Sequence, residues 1–325
     1  MKTMISCTVF LIACMLFLPF LSLPAKTVAA SSPVAVTRTK VQTKQGDSAR
    51  TVESFIVYDK TTDRCTELSA RDYMQSVVAA EMPVLYEPEA LKAQAVAAYT
   101  FALRRQAENR QKPYDITTDP ATDQGFMPLA DARSCWGEHA DEYEQKIRDC
   151  VQAVEGLCVR YQNDLALTVY HAVSAGKTES AKTVWGTEIP YLIPVDSAAD
   201  LLAKNYRSTV TLTAEEIREK LKPYGNLPAQ TDRWFTDLQQ TASGRVISVC
   251  FGDAQLSGEQ IRQALQLSSA TFTAEPTENG FTFQVCGYGH GVGMSQNGAN
   301  EMAKQGSTFQ EILTHYYVGC RVEPY

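Results

Sequence analysis

Glu81 is a carboxylate with little polar company in its stretch of the chain. It stands in "VVAAEMP", with Ala79 and Ala80 before it and Met82-Pro83 after it. A helix stopped by Pro83 would leave the acid at its C-terminal end, where the macrodipole disfavours negative charge. If that end is buried, desolvation raises the carboxyl's pKa and keeps it protonated near neutrality, the form a general acid needs. If it is exposed, Glu81 is an ordinary surface acid, and these residues alone leave both readings open.

Two other stretches carry more chemistry than a fold requires. "YHAVSAGKTE" (Tyr170 to Glu179) ends an apolar run in His171. Ser174, Gly176, Lys177, Thr178 and Glu179 then follow as a polar loop able to present hydroxyls, amides and a cation. "GYGHGVGMSQNG" (Gly287 to Gly298) alternates glycines with His290, Met294, Ser295 and Gln296, which permits φ > 0 and close backbone approach. It is no dinucleotide fingerprint, because a βαβ unit and a ribose-binding acid are missing, and it lacks the Lys of a phosphate loop. The chain has neither GxSxG nor HExxH, and its 4 His come with no acidic metal cluster. Two-carboxylate glycoside hydrolysis needs a second acid. The nearest, Glu87 and Glu89, read as solvent-facing residues that open the next helix.

The elements around these stretches read as follows. "SFIVYD" (Ser54 to Asp59) alternates as a strand. Ser69, with Asp72 three residues on, caps a helix through about Ala80. A second helix runs from Glu87 to about Asn109, with Leu91, Ala95, Ala98 and Ala102 as a close-packing stripe. A polar loop, "DITTDPATDQGFMP", leads to a helix near Ala140 to Glu155. A hairpin follows, Leu157 to Tyr161 and Leu165 to His171, turning at Gln162-Asn163-Asp164. Capped helices are expected from Thr213 (with Glu216), near Ser257, and from Ser307 (with Gln310), and "GRVISVCF" is a strand. The last Gly-rich stretch joins a strand to a helix ending near Gly306. Strands and helices do not alternate regularly, so the class is α+β.

Lys2 precedes an uncharged run from Thr3 to Ala25, about long enough to span a bilayer. Its length favours a retained single-pass anchor in residues 1–24, N-in and C-out, over a cleaved signal peptide. Residues 25–50 are a polar linker, and 51–325 form the exported domain. A formal charge of -7 and no basic patch argue against nucleic acid. Beyond the apolar run, Cys65, Cys135, Cys150, Cys158, Cys250, Cys286 and Cys320 are odd in number and show no CxxC. Mostly buried thiols, with one or two disulfides, are expected.

Together "VVAAEMP", "EALKAQAVAA", "TFALRR", "YHAVSAGKTESAKTVWG", "GHGVGMSQNGANEMAKQG" and "ILTHYYVG" resemble, in order, the stage II sporulation protein D family, over about Ser69 to Gly319. The resemblance implies mixed helices and short antiparallel strands around a glycan-binding groove. It implies a peptidoglycan lytic transglycosylase that breaks MurNAc–GlcNAc bonds and leaves a 1,6-anhydro end. The substrate would be glycan stripped of stem peptides by a partner amidase, in the membrane-bound complex that drives forespore engulfment. On this resemblance Glu81 is the catalytic acid. Lys92, Gln94, Tyr170, His171, Ser174, Lys177, Thr178, Glu179, Trp185, His290, Ser295 and Gln296 fall on motif positions and would line the groove. Where the family usually reads "AARTYAL", Tyr99 replaces an Arg, and "HAVSAG" stands for "HSSSGG". Some members hold zinc through Cys and His near "DITTDPATDQ". Thr117, Asp119 and Asp123 offer no such set, so neither zinc nor a cofactor is expected. The competing expectation is a non-catalytic, wall-binding amidase enhancer; a structural scaffold of a membrane-bound wall-remodelling complex is compatible with the enzyme.

Overall fold

The computed structural model describes residues 52–226 and 230–325. The expected anchor (1–24) and linker (25–50) lie outside the described residues. Among those described, no helix is long and apolar enough to cross a membrane.

β1 (Ser54–Asp59) and β2 (Arg64–Ser69) form an antiparallel hairpin that feeds α1 (Ala70–Glu81). The Ser69 hydroxyl accepts from the Asp72 N–H, as the capping pattern required. Met82 takes an extended backbone before Pro83 and ends the helix. α2 (Pro88–Glu108) starts with Pro at its first position and runs through the centre of the molecule. Leu91, Ala95, Ala98 and Ala102 are fully buried, and their small size lets α1 and the following elements pack close to the axis. β3 (Ile116–Thr117) then pairs with β1 in parallel. α3 (Leu129–Trp136) and α4 (Ala140–Ala153) follow.

β4 (Leu157–Tyr161) and β5 (Asp164–Leu165) form the expected hairpin, but its second strand is cut short. The chain leaves that sheet after Leu165, and β6 (Tyr170–His171) is a separate element. Thr168 between them is fully buried and donates to Ala97 O of α2, which turns the chain toward the body. A short helix, α5 (Ala181–Trp185), ends the first half of the main body.

An inserted unit comes next. β7 (Arg207–Thr213), α6 (Ala214–Leu221), β8 (Thr236–Gln240), β9 (Val246–Phe251), β10 (Ala254–Ser257), α7 (Gly258–Leu265), β11 (Phe272–Thr277) and β12 (Gly280–Cys286) make two antiparallel sheets, ordered β10-β9-β8 and β11-β12-β7. α6 and α7 both open on full capping boxes. The chain returns through β13 (Met294–Ser295), which pairs in parallel with β6. α8 (Gln296–Lys304), α9 (Phe309–Tyr316) and β14 (Arg321–Pro324) complete the body, with β14 on β4.

The α+β class stands, with two corrections. Two strand pairs are parallel, and α9 is capped by Thr308 with Glu311 rather than by Ser307 with Gln310. The expected domain holds two hydrophobic cores, one around α2 and one inside the insert. No disulfide forms among the seven described cysteines. Cys150, Cys158 and Cys320 are buried and Cys135 is exposed.

Candidate active site

Glu81 is 5% exposed at the end of α1. Its Oε1 accepts from the Gly125 N–H at 2.5 Å. A Cβ on Gly125 would stand 2.9 Å from that oxygen, so any larger residue there would push the carboxyl aside. Burial pushes the carboxyl up to about 7, against the Gly125 N–H, which favours the ion. Tyr170 of β6 and Gln296 of α8 also reach the carboxyl. The Gln296 amide donates to Glu81 O at 3.1 Å and to Gln94 Oε1 of α2 at 3.3 Å. Residues far apart in the chain thus meet on one side chain, and the buried reading of the "VVAAEMP" segment is the one realised.

Beside this cluster lie His171, His290 and Trp185. The His171 and His290 rings are 5.7 Å apart, and Trp185 is 5.4 Å from His290. Val292 orders both imidazoles. Its carbonyl is 3.1 Å from His171 Nδ1, so that nitrogen carries the hydrogen. Its N–H donates to His290 Nδ1 at 3.0 Å, which puts the His290 hydrogen on Nε2. Burial lowers His171 to about 4 and His290 well below its ordinary value, so both rings are neutral at pH 7. The Gly-rich loop approaches β6 closely: at Gly289 (φ 108°) a Cβ would lie 2.8 Å from His171 Cβ, and at Gly293 (φ 71°) 2.1 Å from Val169 O.

The other motif residues hold the loops in place. Ser174 Oγ accepts from Gly176 N, Thr178 Oγ1 accepts from Val195 N, and Ser295 Oγ caps α8 by accepting from Gly298 N. Glu179 is buried and accepts from the hydroxyls of Thr241 (3.0 Å) and Ser243, both on the β8–β9 turn of the insert. From the same turn Arg245 donates to His290 O at 3.0 Å. Lys177 is exposed on the loop. Lys92 stands apart: it pairs with Glu89 at 2.6 Å and lines a groove of about 600 Å³ with Lys146, Asp149 and Cys150 of α4.

Three residues escaped the sequence reading. Gly125 and Gln124 belong to the loop taken as polar filler. Gln124 is buried; its amide donates to Ala98 O (3.2 Å) and Tyr73 OH (3.0 Å) and accepts from Tyr170 OH at 2.9 Å. Asp200 is fully buried between the motif loops. It accepts from Ser174 N (2.9 Å), Ser197 Oγ (2.9 Å), Ser295 Oγ (3.0 Å) and Asn297 Nδ2 (3.0 Å). In "DSAAD" nothing local marks it, because its partners come from distant segments. Asp123, weighed above as a metal ligand, pairs with Arg105 at 2.5 Å and accepts from Thr117 N and Oγ1.

Residues 58–161 match the family model described as stage II sporulation protein, and residues 130–293 match a domain of unknown function. The chain is 31% identical over 318 residues to stage II sporulation protein D of Bacillus subtilis (strain 168), covering 97% of this chain and 92% of that protein. The chain belongs to the stage II sporulation protein D family. It is also 34% identical over 272 residues to the protein of that name from Bacillus amyloliquefaciens, covering 83% of this chain and 78% of the relative. A more distant likeness, 25% identity over 306 residues, is to the amidase enhancer of Bacillus subtilis (strain 168), of which 40% is covered against 78% of this chain. Membership gives the site its context: a family named for sporulation, two of whose named members share most of their length with this chain.

Proposed function

We propose that this family member is a lytic transglycosylase that cuts MurNAc–GlcNAc bonds in peptide-free peptidoglycan during forespore engulfment, tethered to the membrane through its N-terminal segment. The observation that carries this reading is the buried carboxyl of Glu81, raised to about 7, where the end of α1 meets the Gly125 loop and Gln296 of α8.

Glu81 in its acid form donates its proton to the glycosidic oxygen as the MurNAc C1–O bond breaks. The resulting carboxylate then takes the proton of the same sugar's C6 hydroxyl, whose oxygen attacks C1 and closes the anhydro ring. The proton lent in the first half returns in the second, so one carboxyl suffices and water is not the nucleophile. His290, Trp185 and Tyr170 supply an aromatic wall suited to the face of a sugar. An amidase that strips stem peptides and a membrane protein that holds the two enzymes together are the partners this substrate calls for.

The likeness to an amidase enhancer favours a second reading, in which the chain binds glycan and leaves cutting to its partner. One experiment separates them. The exported domain is incubated with peptide-free glycan strands beside Glu81→Gln, and anhydro-ended fragments are sought by mass spectrometry. Fragments from the native chain alone support the enzyme. Glycan binding without fragments, in both proteins, establishes the binding role instead.

A further inference from the structure

Asp200 has no exposed surface, and the reaction proposed for Glu81 leaves this second acid without a task. It stands on a short helical turn, Ala198–Leu202, that belongs to neither motif loop. Its four partners are neutral donors, two on each oxygen. Oδ2 accepts from the Ser174 N–H and from Ser197 Oγ, both at 2.9 Å. Oδ1 accepts from Ser295 Oγ and Asn297 Nδ2, both at 3.0 Å.

The hydrogens follow from what else these groups do. Ser295 Oγ accepts from the Gly298 N–H at 3.1 Å, and its own hydrogen goes to Asp200. Ser197 Oγ lies 2.9 Å from Tyr316 OH of α9, so the tyrosine donates to the serine and the serine to Asp200. A carboxylate oxygen only accepts, so Asn297 faces it with its NH2. A Cβ on Gly298 would lie 2.1 Å from Tyr316 OH and 2.4 Å from Ser197 Oγ, so any larger residue there would collide with this relay.

Each oxygen thus serves a different half of the site. Oδ2 ties down the loop that leaves β6 at His171 and carries Lys177 and Glu179. Oδ1 ties down the start of α8. There Gln296, between the two tethered residues Ser295 and Asn297, donates to Glu81 O at 3.1 Å and to Gln94 Oε1 at 3.3 Å. Burying a carboxylate is costly, and apolar contact would serve a fold alone. Resting on the reaction proposed for Glu81, we propose that Asp200 is a positioning residue: it sets the spacing between the loop that receives the sugar and the helix end that holds Glu81, and it takes no part in proton transfer. Without it each half keeps its own contacts with glycan. What is lost is their alignment, and a misplacement of about 1 Å at a reacting centre costs on the order of 10²-fold in rate.

The test compares loss of the carboxyl with loss of its charge. Initial rates of anhydro product formation are measured over a range of glycan concentrations. Asp200→Ala is expected to lower kcat about 10²-fold, with KM within about threefold of the native value. Asp200→Asn is expected to restore kcat to within about fivefold of native. Its oxygen keeps Ser174 and Ser197. Its NH2 meets an Asn297 amide turned end for end and a Ser295 hydroxyl redirected to Ala172 O, 3.5 Å away. An Asp200→Asn chain as slow as Asp200→Ala overturns the proposal, because the charge or a proton of Asp200 would then be at work. So does a loss carried by KM, or a native kcat in Asp200→Ala. If Asp200→Ala does not fold, Ser197→Ala is read in its place. It removes one of the four donors and should lower kcat about fivefold at unchanged KM, and an unchanged kcat overturns the proposal. A native chain that releases no anhydro fragments removes the transglycosylase reading and this inference with it. A native chain that cuts, beside an Asp200→Ala that cuts as fast, removes this inference alone.

Discussion

The insert and the main body solve the same problem, burying a core, in opposite ways. In the insert, β7 and β12 alternate strictly. Phe281, Phe283 and Val285 point inward, while Thr282 and Gln284 point out and bond across to Thr211 and Thr209. Its core is aromatic, with Trp234, Phe251, Phe272, Phe281 and Phe283 in mutual contact at ordinary ring distances. The main body instead wraps an alanine-rich helix and buries polar side chains beside it: Gln94, Thr100, Gln124, Asp200 and Gln296. Buried polar groups are costly unless fully bonded, so their concentration around Glu81 and its loops marks where the fold serves chemistry over stability. The insert touches the site loops through its β8–β9 turn and through Ser268 O, which accepts from the Gly289 N–H.

That contrast can be broken from either side. The largest effect is expected from Glu81→Gln, which should cost ~10²–10⁴-fold in anhydro product formation while leaving the urea midpoint at neutral pH no lower than that of the native chain. On the insert side, Trp234→Ala should destabilise by about 3–5 kcal/mol through an aromatic cavity, seen in urea unfolding. Here stability falls first, and activity follows only as the turn that holds Glu179 loosens.

A change of pH probes the main body alone. The folded pKa of Glu81, about 7, lies above its ordinary value of 4.5, so the folded state keeps a proton that the unfolded chain gives up. The contribution is present below about 4.5 and is lost as pH rises through 7, a swing of about 3 kcal/mol that Glu81→Gln should abolish. His171 runs the other way. Its folded pKa is depressed to about 4, so its contribution is present above 6.5 and is lost as pH falls toward 4. Denaturant titrations across this range check both signs. The smallest effect belongs to the junction between the regions. Ser243→Ala removes one hydroxyl from Glu179 and should weaken glycan binding by about fivefold, at unchanged kcat, the worth of a single hydrogen bond.

How much of this was readable beforehand depends on sequence distance. Glu81 stood out because its own neighbours, Ala80 and Met82, declare an apolar setting, and the caps at Ser69, Thr213 and Ser257 are likewise local patterns. The end of the long hairpin was misjudged because the apolar run to His171 continues after the pairing partner has changed from β4 to β13. At α9 two overlapping patterns competed. Thr308 with Glu311 won over Ser307 with Gln310, since a carboxylate both accepts from the cap and suits the positive end of the helix. Gln124, Gly125 and Asp200 were invisible for a different reason. Each acts on residues from distant segments, and no periodicity or cap in their own stretch reports that.

The position of Glu81 as the last residue of α1 has one more consequence. In the proposed reaction, the anion left once it had protonated a leaving group would face the negative pole of a helix, in apolar surroundings. That would make it an unusually avid base for as long as it stayed ionised. A site working this way would rearm itself: the discomfort that expels the proton in one half-reaction would pull another in during the next, and no outside group would be needed to restore the starting state.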